Sequence, residues 1–243
     1  MAFQGRSFSV QVAGATVSVY GLLMYRDLPA GEESAKVFAQ DFFAGAASFD
    51  DCTGAYRLQI ACPDGRTVYM GDAAGLLRYY IHEPTGGFYT TLAEAAAQGE
   101  KKPCADAVAQ FLYYGCVYGT DTVVSSVKRT DPDFYYVAEC GKVTAHSKGL
   151  TPLDRLDTSE NALREQMQRL AAAVGEDVPV ACTITGGTDS RAILAHMLHN
   201  GRHPLLTSPA AQNTWMWRSQ KRSPLRWARS CSGFPMNRRA TAG

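Results

Sequence analysis

The 243-residue chain lacks any apolar run of about 18 residues and any leader of basic, apolar and small residues. No membrane partner and no export signal are expected, and a cytoplasmic site is the default. Its seven cysteines (Cys52, Cys62, Cys104, Cys116, Cys140, Cys182 and Cys231) are odd in number and form no Cys-x-x-Cys pair, so neither a zinc site nor a disulfide framework is indicated. Several stand within apolar strings, where a small buried side chain is the expectation. The five histidines form no metal-ligand motif. His196 and His199 are three apart on a helical stretch, but no acidic residue follows to complete a site. Acidic residues are missing altogether from 190 to 243, where nine Lys/Arg stand, whereas residues 1 to 189 carry 15 Lys/Arg against 23 Asp/Glu, a balance of −8. With 46% hydrophobic and 19% charged residues, the chain has material for one large or two small domains.

What is present is most pointed between residues 178 and 200. Val178-Pro179-Val180-Ala181-Cys182-Thr183-Ile184 is short, apolar and bounded by a turn signal, which suits a strand covered on both faces. Thr185-Gly186-Gly187-Thr188-Asp189-Ser190 follows. Then Ile193, Leu194, Met197 and Leu198 recur at helical spacing, with Gly201 as a C-terminal stop. The glycines allow positive φ and close approach to bare backbone, while Thr185, Thr188 and Ser190 offer hydroxyls. Successive amides at the start of a helix make an anion site, for which phosphate or pyrophosphate is the natural occupant. The loop is not that of kinases and GTPases, which needs a Lys before Ser/Thr and four residues between its glycines.

Upstream, alternating Phe8, Val10, Val12 and Val17, Val19 read as two strands joined at Ala13-Gly14-Ala15. A helix is expected over Ala35 to Phe43, and a hairpin from Ala55 to Cys62 and Arg66 to Met70 over Pro63-Asp64-Gly65. A second helix, Asp106 to Tyr114, would carry Val108, Phe111 and Leu112 on one face. Phe134 to Glu139 and Lys142 to His146 complete a last hairpin over Cys140-Gly141. Gly149 to Leu153 reads as a linker. Asp157, with Glu160 three residues on, is the expected N-cap of a helix with Leu163, Met167, Leu170 and Val174 on one face, ending at Gly175.

Thr185 to Ser190 resembles the Ser-Gly-Gly-x-Asp-Ser signature of the PP-loop ATP pyrophosphatases, with Thr for the first Ser. Gly54-Ala55-Tyr56-Arg57-Leu58, Gly71-Asp72 through Arg78-Tyr79-Tyr80, and Gly119-Thr120-Asp121-Thr122 resemble segments of the class II glutamine amidotransferase half of asparagine synthetase. The resemblance covers residues 1 to about 206 and is specific only at the loop. It implies an α+β Ntn-amidotransferase-like domain over 1–148 and the start of an α/β PP-loop domain over 149–206. It also implies ATP and Mg2+ as cofactors, with Thr185, Gly186, Gly187, Thr188, Asp189, Ser190 and Arg191 as the ATP or pyrophosphate site and Asp189 toward the metal. The family's nucleophilic N-terminal Cys is absent, since Ala2 follows Met1, so glutamine hydrolysis is not expected. Asp72 follows Gly71 where the family has Arg, so the family's substrate contacts are not expected there.

Residues 207–243 fit none of this. All three Trp (Trp215, Trp217, Trp227) stand there among arginines, a composition that could contact nucleic acid, which is the weaker reading. Trp and Met have single codons, and reading Trp215-Met216-Trp217 one base earlier forces Asp-Val. Permitted codons then extend this into an acidic amphipathic helix, a glycine and a strand. The tail is accordingly read as irregular, out-of-frame sequence. The function implied is an ATP-dependent amide ligase acting on a small-molecule carboxylate, present here as an inactive fragment; a homodimer is compatible with it. The alternatives are an intramolecular amide-forming cyclase, of the β-lactam synthetase or lasso-peptide cyclase type, and a non-catalytic docking module.

Overall fold

A computed structural model describes residues 7–173, 180–184 and 187–207. They form a mixed α+β structure in two compact units that part within one helix, after Arg164. No helix among the described residues is long and apolar enough to cross a membrane.

The first unit contains β1 (Ser7–Val12), β2 (Ala15–Gly21), β3 (Met24–Tyr25), α1 (Glu32–Phe43), β4 (Cys52–Thr53), β5 (Tyr56–Ala61), β6 (Thr67–Gly71), β7 (Tyr80–His82) and β8 (Gly87–Tyr89). It continues with α2 (Leu92–Ala96), α3 (Ala105–Tyr114), β9 (Val127–Arg129), β10 (Phe134–Glu139) and β11 (Lys142–Ser147). Six strands make one antiparallel sheet in the order β1-β2-β5-β6-β10-β11. Its register follows from turn chemistry. Ala13 and Gly14 (φ 49° and 80°) and Cys140 and Gly141 (φ 47° and 77°) put both loop residues in the left-handed region, as two-residue hairpins require to match strand twist.

Strand alternation then sorts the side chains. Val17, Val19, Leu58, Ile60, Val68 and Met70 point to one face, where Phe38 of α1 and Tyr25 close the core. Tyr69, between Val68 and Met70, points to the other face and stacks on Phe88 at 4.0 Å, with Tyr79 edge-on at 5.2 Å. Phe88 belongs to the three-stranded sheet β8-β7-β9, which sequence periodicity did not reveal. α2 also went unanticipated, although Thr91 and Glu94 form a full capping box.

Two expectations need correction here. The face of α3 bearing Phe111 and Leu112 does not enter the core; Ala107 is the helix's only buried residue. Periodicity identifies an apolar face but not what it meets. And of the six cysteines in the described residues only Cys182 is fully buried; Cys52, Cys62 and Cys104 are half-buried, and Cys116 and Cys140 are exposed.

The linker region is tied down at one point: Thr151 donates to Asp50 through its amide, at 3.0 and 3.2 Å, and through its hydroxyl at 2.6 Å. α4 (Glu160–Ala173) starts at Ser159 rather than Asp157. The Ser159 hydroxyl accepts from the Ala162 amide at 3.2 Å, and Asp157 accepts from the Ser159 amide at 2.8 Å. Both oxygens stabilise the start of the helix, and the one nearer the first turn serves as the cap. Val174 and Gly175 lie outside the described residues.

The second unit holds β12 (Ala181–Thr183), α5 (Thr188–His199) and β13 (Leu205–Thr207). β12 and β13 pair in parallel, so α5 is the crossover of a β-α-β unit. Cys182, Ile184 and Leu194 form a small core against Leu198 and Leu206. Ala181 and Thr183 are exposed, so β12 is covered on one face rather than two, and Ile193 is 47% exposed while Leu194 and Met197 are buried. α5 ends as expected: Gly201 (φ 71°) donates to Leu198 O at 3.0 Å and Arg202 to Met197 O at 2.9 Å, the paired bonds of a left-handed helix stop.

Candidate functional site

The loop singled out by sequence lies where β12 ends and α5 begins, at the carboxyl end of a parallel strand. That is where open α/β sheets place their ligands. Thr185 and Gly186 lie outside the described residues. Gly187 is the N-cap of α5, at φ −76° and ψ 166°. This is ordinary extended backbone, so the positive φ expected of the glycine pair is not used at Gly187.

Thr188 and Asp189 follow in the first turn, both exposed. First-turn amides have no partner within their own helix. Among the described residues nothing accepts a hydrogen bond from the amides of Thr188 and Asp189. The N-terminal dipole of α5 adds partial positive charge at the same place.

The remaining expected residues are less open. Ser190 Oγ donates back to Gly187 O at 3.4 Å, and Arg191 Nε donates to the same carbonyl at 3.1 Å. Arg191, an exposed residue, therefore braces the loop carbonyl. Asp189 is the one carboxylate of the loop, and no group of three or more His, Cys, Asp or Glu side chains able to hold a metal occurs among the described residues.

The first unit contains a second polar constellation that sequence reasoning missed. Lys148, directly after β11, is buried at 6% exposure, and its Nζ donates to Gly71 O at 2.7 Å and Pro132 O at 2.6 Å. Burial lowers its pKa to about 8, against the opposing attraction of Cys52, Asp72, Asp133 and Asp131. Cys52, whose Sγ donates to Ser48 O at 3.9 Å, is pushed up to about 12, chiefly by burial. Tyr56 is likewise held well above its ordinary value by burial.

Asp72 is 1% exposed, and its two carboxylate oxygens accept from the Leu76 and Leu77 amides at 2.9 and 2.8 Å. Both acceptors are committed to shaping the turn after β6, which is a structural use. No signal in the sequence marked Lys148: its burial is compensated by two backbone carbonyls from distant segments.

A scan against protein-family models gave no match, and no curated protein matched the chain.

Proposed function

We propose that the second unit is the opening segment of a nucleotide-binding domain of the asparagine synthetase type, and that its β12–α5 loop receives the pyrophosphate of ATP. The observation that carries this reading is the pair of unclaimed first-turn amides, at Thr188 and Asp189, standing at the carboxyl end of a parallel strand. The reaction proposed is adenylation. A substrate carboxylate oxygen attacks the α-phosphorus of ATP, the bond to the β-phosphate bridge breaks, and pyrophosphate leaves with the bonding pair. An amine then attacks the acyl carbon, and AMP departs with the carboxylate oxygen.

The loop amides supply donors where charge accumulates on the departing pyrophosphate, a type of contact worth roughly 3 kcal/mol in comparable oxyanion sites. Mg2+, held with help from Asp189, would neutralise the same phosphates. Thr185 and Gly186 complete the loop in this reading, and Ser190 and Arg191 stiffen it through Gly187.

In the same proposal the first unit is an amidotransferase-like module without glutaminase activity, and residues 207–243 are out-of-frame sequence; Thr207 itself stands in β13, paired with Thr183, and the rest of the tail lies outside the described residues. The 243-residue chain is then expected to give no ATP–pyrophosphate exchange, and a frame-restored protein to give it. Thermal unfolding with Mg2+ and inorganic pyrophosphate tests the loop itself. Binding to the folded state alone raises the melting temperature by mass action, and Gly187→Val, which crowds the loop, should abolish the rise. Absence of any rise at millimolar pyrophosphate overturns the assignment. A single intact reading frame on resequencing overturns the account of the tail without touching the loop.

A further inference from the structure

The last strand of the first sheet passes into the linker through two fixed points. The first is Lys148, whose amide donates to Asp133 O at 2.9 Å while its buried ammonium holds two further carbonyls. The second is Thr151, whose amide and hydroxyl both donate to the Asp50 carboxylate, the hydroxyl at 2.6 Å. Between them stand only Gly149, in the left-handed region at φ 64°, and Leu150. Beyond Thr151 the hydrogen bonds turn local: the Arg155 amide donates to Pro152 O at 2.9 Å, and the Ser159 amide to Asp157 at 2.8 Å.

The two partners of the second point differ in support. Asp50 stands on a loop fastened on both sides, since the Phe49 ring packs against the core and stacks on Tyr135 at 5.6 Å, and Asp51 O accepts from the Arg26 amide at 2.9 Å. Thr151 is flanked by the glycine step behind it and by Pro152, which has no amide to donate, ahead. Asp50 is thus the fixed post and Thr151 the part that moves.

We propose that the Asp50–Thr151 contact is a releasable clasp that controls cleavage of the linker. One carboxylate takes both donors of one residue, so the bonds open together. With the clasp closed, three residues, Pro152 to Asp154, separate the exposed Arg155 from a fixed point; with it open, six do, from Gly149 to Asp154. A protease needs several residues of free, extended chain on either side of the bond it cuts, so Arg155 becomes a substrate in the open state. A cut there separates the six-stranded sheet from the β12–α5–β13 unit.

Limited trypsin digestion of the full 243-residue chain, with the 1–155 fragment followed by mass, tests this. Asp50→Ala removes the acceptor of both donors and should make the fragment appear about fivefold faster, because cleavage tracks the open fraction. Thr151→Val removes the hydroxyl bond alone and should give a smaller acceleration. It also carries the comparison should Asp50→Ala misfold, because it leaves the Asp50 loop unaltered. Melting temperatures should match that of the wild type, since both contacts lie at the surface. Equal rates in the wild type and both variants, or an acceleration shared by cleavage after Arg57 within β5, overturns the inference. Neither result bears on pyrophosphate binding by the second unit.

Discussion

The buried ammonium of Lys148 donates to the backbone carbonyl of Gly71, joining the residue after β11 to the end of β6, five strands earlier in the chain. Its pKa in the fold, about 8, lies below the ordinary 10.5, so between these values the unfolded chain binds more protons and stability rises with pH. Cys52 acts in the opposite direction. With a folded value of about 12 against an ordinary 9, it makes stability fall as pH climbs above about 9. Urea unfolding should therefore give a maximum near pH 9, with a gain of about 1 kcal/mol over pH 7. Lys148→Met should flatten the rising limb and Cys52→Ala the falling one. Curves that keep both limbs in these variants would show that other groups govern the profile.

Asp72 should matter for stability rather than for any chemistry. Its replacement by Ala removes the acceptor of the Leu76 and Leu77 amides in a partly exposed turn, where water can take up part of the loss, so a cost of roughly 1–2 kcal/mol is expected. Asp72→Asn keeps one acceptor and should recover part of this. Equilibrium denaturation measures both, and pyrophosphate binding by the second unit should not respond.

Two glycines with positive φ should part company. A Cβ at Gly54 (φ 111°) would stand 2.1 Å from the Leu22 carbonyl oxygen, which is backbone and cannot turn aside, so Gly54→Ala should disrupt the β3–β4 region. Gly115 (φ 75°) has open space around its missing Cβ, and Gly115→Ala should cost only the left-handed strain, about 1 kcal/mol. Melting temperatures of the pair separate close approach from conformational preference.

The α2 capping box offers a local test. Thr91→Ala removes the acceptor for the Glu94 amide and should cost about 1 kcal/mol. Because the helix has only five residues, amide exchange should accelerate over Leu92–Ala96 well before global unfolding shifts.

Features written in neighbouring residues were legible from sequence. The three hairpins at Ala13-Gly14, Pro63-Asp64-Gly65 and Cys140-Gly141 needed only turn chemistry and alternation, and the residues pair with the expected partners. The strand–loop–helix order around Gly187 was legible for the same reason. The pairing of β7 with β9 was not, because three residues such as Tyr80–His82 carry no resolvable period and their partners stand nearly fifty positions away. Nor was the environment of Lys148, since an acceptor carbonyl leaves no trace in residue type. The capping box at Thr91 and Glu94 was available and unused. The exposed face of α3 shows the opposite limit: spacing reports that apolar residues share a side, and only tertiary packing says whether anything covers them.

The left-handed Cys140 at the apex of the β10–β11 hairpin has one practical consequence. Its exposed thiol stands beyond the last paired residues, Glu139 and Lys142, so a maleimide fluorophore can be attached there without breaking a rung of the ladder. With Cys116 and Cys231 changed to Ser, such a dye becomes an optical reporter on an edge strand of the first sheet, and its anisotropy reads fraying of that strand directly.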